Sequence, residues 1–472
     1  MRDSEVQRAS PKARIALQVI GVVLLTGFLI QILSGDRGLL LLEGLLGGVC
    51  ALWLFKEPHC GVLLILSLWF LEFSPVFLGM KYLRIPYLIS ALLLIPLVLA
   101  ILRDREIWVW HVPQIKILGA IGILYLASIG WSYYQHPIVL LPELDQTGEI
   151  LQRFVTRFAF LVFFLYFITT LRKIKLSLWV LLGLIFASAM SALYNLMLPG
   201  AHRAWSTFGP GSNPNSLAFL ALFGASLFWF YYTGEQSKRW KHLILVLLAP
   251  LPILAIASGS RGGFLQLVIF AALIVKKQEG WSAAKRIRSL LLLGSISLLF
   301  LAIIPASSLL RATTFEASHS SAGGESLSNR LNTIAAAFEM IASNPVLGVG
   351  LGNFRWMHQI NYGSDLAPHN SYIGALLNGG VGCLALYLFL FYITYQMLKR
   401  LEKSGPQELL WASKGLRINL ILFLIASISD DIWLNDFLYL MIGLAVAMTR
   451  VWQSQYQRFT GEQSSFNYAQ AG

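Results

Sequence analysis

Runs of about twenty apolar residues, separated by short polar or charged joints, recur along the whole chain. A run of that length crosses a ~30 Å hydrocarbon core as an α-helix, which satisfies its backbone N–H and C=O groups internally. The pattern predicts an all-α, polytopic membrane helix bundle of about 12–14 transmembrane helices. The spans fall near 15–34, 38–56, 60–78, 85–102, 116–134, 155–171, 177–197, 215–233, 242–258, 262–275, 289–304, 371–398, 417–429 and 434–450. Those at 262–275 and 417–429 are short enough to be tilted or re-entrant. No polar stretch is large enough for a soluble domain, so residues 1–472 read as a single integral membrane domain.

Residues 305–370 form the one long connection. Its centre, "SLSNRLNTIAAAFEMIASNP", predicts a helix. Leu331, Ile334, Ala335, Phe338 and Ile341 recur at helical spacing as one apolar stripe, and Ser326 or Ser328 suits the cap. Asn344-Pro345 stops it. This amphipathic helix is expected to pack on the bundle or lie in the lipid interface. The glycines at 348, 350 and 352 follow. They have neither the strand-to-helix setting nor the Gly-Lys-Ser/Thr of a phosphate cradle. They read as a tight turn bringing backbone close to a ligand or a helix end.

Composition agrees with a membrane protein: 56% of residues are hydrophobic and 12% charged, against about 25% charged in soluble proteins. The formal charge of +13 does not imply nucleic acid, because the basic residues gather in alternate connections. Lys56, Arg103, Arg105, Arg172, Lys173, Lys175, Lys238, Arg239, Lys241, Lys276, Lys277, Lys399 and Arg400 share one side with both tails. That side holds roughly 26 of the 36 Lys and Arg, which makes it cytoplasmic and both termini cytoplasmic. The basic N-terminus leads into an uncleaved first span. Cys50, Cys60 and Cys383 form neither a metal-ligand spacing nor a disulfide framework.

The outer face then carries few basic residues, nearly all arginine. Arg203, Arg261, Arg330 and Arg355 lie there with His369 of "APHNSY". Arginine offers a planar fork of donors that suits the oxygens of a lipid phosphate or diphosphate. Histidine exchanges a proton near neutral pH. Each also has a plainer reading: an arginine snorkelling to the interface, a solvated loop histidine, an Asn215 that caps a helix beside Pro214. Glu43 and Glu72 lie within apolar runs near the outer interface. Asp430-Asp431 cap an outer turn with no His or Cys companion in sequence, and no acidic motif for a divalent cation is present.

Four segments between about 203 and 382 carry a likeness. They are "HRAWSTFGPGSNPNSLA", "SRGGFL" with Arg261 four residues before Leu265, "NRLNTIAAAFEMIASNPVLGVGLGNF", and "HNSYIGALLNGGVG". In this order and on one face they resemble the O-antigen ligase and polymerase superfamily of bacterial membrane glycosyltransferases. The glycine turn departs from the family spacing by one residue, and the first 200 residues share only general hydropathy. The resemblance implies transfer of a glycan from an undecaprenyl-diphosphate carrier to a hydroxyl of a glycolipid or polysaccharide acceptor. The reaction would run at the outer face of the inner membrane, with inversion and with neither metal nor cofactor. Arg203 and Arg261 would contact the diphosphate, and His369 would be the base or position the acceptor. Asn370 would orient the imidazole, with Arg330, Asn215 and Asn353 as further substrate contacts. A polymerase joining lipid-linked repeat units, a ligase acting on protein, and a secondary transporter of a small anion such as bicarbonate are the alternatives.

Overall fold

A computed structural model of the full chain describes residues 53–71, 85–104, 108–135, 142–198, 203–206, 213–234, 237–277, 327–432 and 434–460, with single positions between 282 and 294. The described residues are helical almost throughout and contain no strand. In chain order the helices are α1 (Pro58–Leu71), α2 (Ile85–Asp104), α3 (Pro113–Gln135), α4 (Thr147–Phe167), α5 (Leu171–Leu196), α6 (Pro214–Gly234) and α7 (Lys238–Leu248). They continue as α8 (Pro250–Ala257), α9 (Arg261–Lys277), α10 (Leu327–Ser343), α11 (Phe354–Tyr362), α12 (Ser371–Ser404), α13 (Gln407–Ser429) and α14 (Asp436–Thr460). Among the described residues, eight spans are long and apolar enough to cross a membrane: α3, α4, α5, α6, α7 and α8 taken together over Arg239–Ala257, α12, α13 and α14. This is a polytopic helical membrane bundle. The expected spans at 15–34, most of 38–56 and all but single positions of 289–304 lie outside the described residues, as do Glu43 and Glu72.

Local chemistry sets the helix starts. Proline opens α1, α3, α6 and α8, where its missing N–H costs nothing. Thr170 caps α5 by accepting from the Lys173 N–H at 3.3 Å. Charged residues hid two helix starts from a hydropathy reading. α4 begins at Thr147 rather than near 155; the missed stretch carries Glu149 and Arg153, which pair with each other. α13 begins at Gln407 rather than near 417; the missed stretch carries Glu408, which pairs with Lys175 of α5.

In the interior, α6 and α13 come close because their contact residues are small. A Cβ on Gly415 would lie 2.7 Å from the Leu227 side chain. The Ser226 hydroxyl donates to Asn419 Oδ1 at 2.7 Å, and Asn419 Nδ2 donates to the Phe223 carbonyl at 3.2 Å. Such interhelical bonds contribute about 0.6 kcal/mol each within a membrane.

α12 is two helices joined at Gly380, whose φ of 71° and ψ of −169° break the helical path. Fifteen residues of straight helix would separate Tyr372 from Tyr387 by about 22 Å, yet their rings lie 6.4 Å apart. Tyr372 donates to the Leu424 carbonyl and Tyr387 sits beside Ser427, both near the C-terminal end of α13. Residues 371–379 therefore fold back over that end, and 381–404 make the membrane part. The glycine turn fills the break. Val349 N–H donates to the Leu377 carbonyl and Val381 N–H to the Pro345 carbonyl, both at 2.9 Å. A Cβ on Gly348 would lie 2.1 Å from the Leu377 carbonyl oxygen. The backbone thus approaches a helix break.

The expected loop helix is α10, and a second outer helix, α11, was not legible. The face of α10 that packs is turned from the expected one. Thr333, Ala336, Ala337, Met340 and Ile341 are buried, whereas Leu331 and Phe338 stay more than half exposed. Alanines let α10 approach α12 more closely than leucine or phenylalanine would, and Ala337, Met340 and Ile341 meet Ile373 and Leu377 there.

Candidate active site

Three helix starts and one helix end meet at one end of the bundle. Asn213 caps α6 by accepting from the Asn215 N–H at 2.9 Å. Ser260 caps α9 through the Gly263 N–H at 3.0 Å. Asn370 caps α12 through the N–H groups of Tyr372 and Ile373 at 3.0 and 3.1 Å. Each helix N-terminus carries a partial positive charge. All three lie against residues 428–430, where α13 ends.

The contacts are specific. A Cβ on Gly262 would lie 2.5 Å from Ser429 Oγ, so only glycine lets α9 sit there. Asn215 Oδ1 accepts from Ser260 Oγ at 2.6 Å and its Nδ2 reaches the Ser429 carbonyl at 3.5 Å. Asn370 Nδ2 donates to the Ile428 carbonyl at 3.1 Å. The Ser371 hydroxyl, fully buried, donates to the Asp430 carbonyl and accepts from the Ile432 N–H, both at 2.8 Å. Arg261, the first residue of α9, and His369, just ahead of α12, are therefore held against the same short stretch. His369 has φ of 43°, a left-handed conformation costing about 1–3 kcal/mol for a residue with a side chain. The Asn370 cap and the Ser371 bridge, made by the two residues that follow it, hold it there.

Asp430 adds the negative group of the corner. Burial pushes its carboxyl above the usual range; the Asp431 N–H, nearby His369, the Ser216 hydroxyl and Arg330 act the other way. Arg330, in the first turn of α10, and His369 thus share one electrostatic environment. The histidine companion that Asp430 lacks in sequence is supplied by the fold. Arg203 adjoins Ala204, whose N–H donates to the Ala257 carbonyl at 2.8 Å, so its segment lies against the end of α8 just before Arg261.

Two expected contacts are placed otherwise. Asn353 is buried, and its amide bonds Ser132, Val349 at 3.3 Å and the Trp356 indole at 3.1 Å, which ties α11 to α3. Asn370 spends its amide on the helix cap and on Ile428, a consequence of its place at a helix start, in preference to orienting the imidazole. Arg355 is held in a two-bond pair by Asp365, at 3.0 Å to its carbonyl and 2.6 Å to its carboxylate. Ser260 and Ser371 went unnoticed in the sequence, and Asp430 was read there only as capping a turn. Asp430, an acid between two spans on the arginine-bearing face, carried the one available signal.

Apolar spans of this number and length define a multi-pass membrane protein, with Arg261, Arg330 and His369 gathered at one end of its helices. Residues 244–388 match the family model described as O-antigen ligase, which supports the O-antigen ligase superfamily. No curated protein matches the chain. The matched stretch includes Arg261, Arg330, Asn353, His369 and Asn370 and leaves out Arg203 and Asn215. The match supports a multi-pass bacterial membrane protein with a glycosyl-transfer function.

Proposed function

We propose that this corner transfers a glycan from an undecaprenyl-diphosphate carrier to a hydroxyl of a glycolipid acceptor. The transfer takes place at the outer face of the cytoplasmic membrane, with both chain termini inside. The observation that carries the reading is the meeting of Arg261, His369 and Arg330 with three helix N-termini around residues 428–430. That much positive potential at a membrane boundary suits a diphosphate.

The acceptor oxygen attacks the anomeric carbon from the face opposite the diphosphate. The new C–O bond forms as the bond to the diphosphate oxygen breaks, so the configuration inverts and the electron pair leaves with the carrier. His369 takes the hydroxyl proton and passes it to water. Arg261 and Arg203 offset the charge developing on the leaving diphosphate, and a positioned donor of this kind is worth about 10²–10³ in rate. Asp430 keeps His369 and Arg330 oriented.

The test is the size distribution of lipid-linked glycan in cells lacking the protein. Full-length chains stranded on the carrier are expected. Single repeat units would turn the assignment to a polymerase, and an unchanged pool with intact surface glycan would sink glycan transfer altogether.

A further inference from the structure

A second outer feature lies at the far end of α10. α3 ends in Trp131, Tyr134 and Gln135, with Trp131 38% and Tyr134 81% exposed. The two rings stack, with centroids 5.9 Å apart and planes 26° apart. Asn344, just after α10, accepts from the Trp131 indole N–H at 3.4 Å and from Gln135 Nε2 at 3.1 Å through one oxygen, Oδ1. The Asn344 amide nitrogen and the Gln135 amide oxygen have no hydrogen bond among the described residues. They leave one donor and one acceptor at the edge of a flat aromatic surface.

We infer that this platform binds the glycan of the lipid-linked donor, several sugars out from the diphosphate; the inference rests on the proposed transfer. A pyranose ring has one face of C–H bonds that lies on an aromatic face, and hydroxyls at its edge that need a donor and an acceptor. A tryptophan serving only to anchor a helix turns its N–H to interfacial water. Here the outer loop takes that N–H, which fixes the ring to the element bearing Arg330. Fourteen residues of helix separate Arg330 from Asn344, about 21 Å, the reach of a short oligosaccharide. α10 therefore spans from the cationic corner to the platform, and a glycan whose diphosphate sits at the corner extends along it.

The experiment uses the full chain in nanodiscs and the cell's own lipid-linked glycan, fractionated by length, alongside a carrier bearing a single sugar. Trp131→Ala and Tyr134→Ala should each raise KM for the long-glycan donor about five- to tenfold. kcat should stay unchanged, as should both constants with the single-sugar carrier. Trp131→Phe, which keeps a ring, should recover most of the loss. Unchanged KM on both donors would overturn the inference and leave the pair as an interfacial anchor. A raised KM for the acceptor instead would overturn it in favour of an acceptor site. Should the wild type transfer nothing, the transfer reading itself has failed. Calorimetric titration with the free oligosaccharide hydrolysed from the carrier then tests the platform alone: binding lost in Trp131→Ala supports it, and equal binding refutes it.

Discussion

Ser371→Ala removes one oxygen from the corner and nothing else of size. That hydroxyl is fully buried and bridges two backbone groups, the Asp430 carbonyl and the Ile432 N–H, both at 2.8 Å. Its loss leaves a buried acceptor and a buried donor without a partner, at about 1–3 kcal/mol each. A loss of about 2–6 kcal/mol is at least comparable to the cost of holding His369 at its positive φ. The outer half of α12 should then shift against α13, carrying His369 with it. A displacement near 1 Å at a reacting group costs about a hundredfold in rate. Transfer measured in nanodiscs should show kcat lowered about a hundredfold, KM for the donor changed little, and the membrane-inserted amount of protein unchanged. A thermal melt in detergent should show the matching drop in midpoint. Activity within twofold of wild type would refute the idea that this joint positions His369.

Arg261→Lys keeps the charge at the start of α9 and loses the fork, so transfer should fall at least about a hundredfold with insertion intact; an unimpaired variant would remove Arg261 from the diphosphate. Gly380→Ala forces a Cβ to 2.0 Å from the Val346 carbonyl oxygen at φ of 71°, and should lower stability by about 2–4 kcal/mol by thermal melt. Gly119→Ala in α3 meets nothing within 4 Å and should be neutral or slightly stabilising, which makes it the control. Because burial raises the Asp430 carboxyl above its ordinary 3.8, the folded protein keeps that proton where the unfolded chain has released it. The stability so gained is complete below pH 3.8 and lost as pH rises through the raised value; in Asp430→Asn the stability measured across that window should lose this slope.

Much of the architecture is written in the sequence because the bilayer reads it locally. An apolar run of sufficient length has no alternative to a helix in hydrocarbon, so α3, α5, α6 and α12 follow from hydropathy alone. The loop helix α10 and its stop at Asn344-Pro345 follow from local pattern too. Wherever a charge interrupts a run, the local reading fails. α4 and α13 begin before the expected spans, in stretches whose charges find partners: Glu149 pairs with Arg153, and Glu408 with Lys175 of a distant helix. The same limit applied to the site. Arg261 and His369 were visible as unusual residues on one face, but their shared seat on residues 428–430 depends on Gly262, Ser371 and the fold-back at Gly380. The sequence by itself determined most of the helices and set Arg261, Arg330 and His369 apart as candidates. Tertiary structure alone decided which of them meet, gave Asp430 its histidine, and turned Asn353 and Arg355 to structural use. Helix formation depends on neighbours within a few residues, whereas a site depends on which distant residues close packing and paired charges bring together.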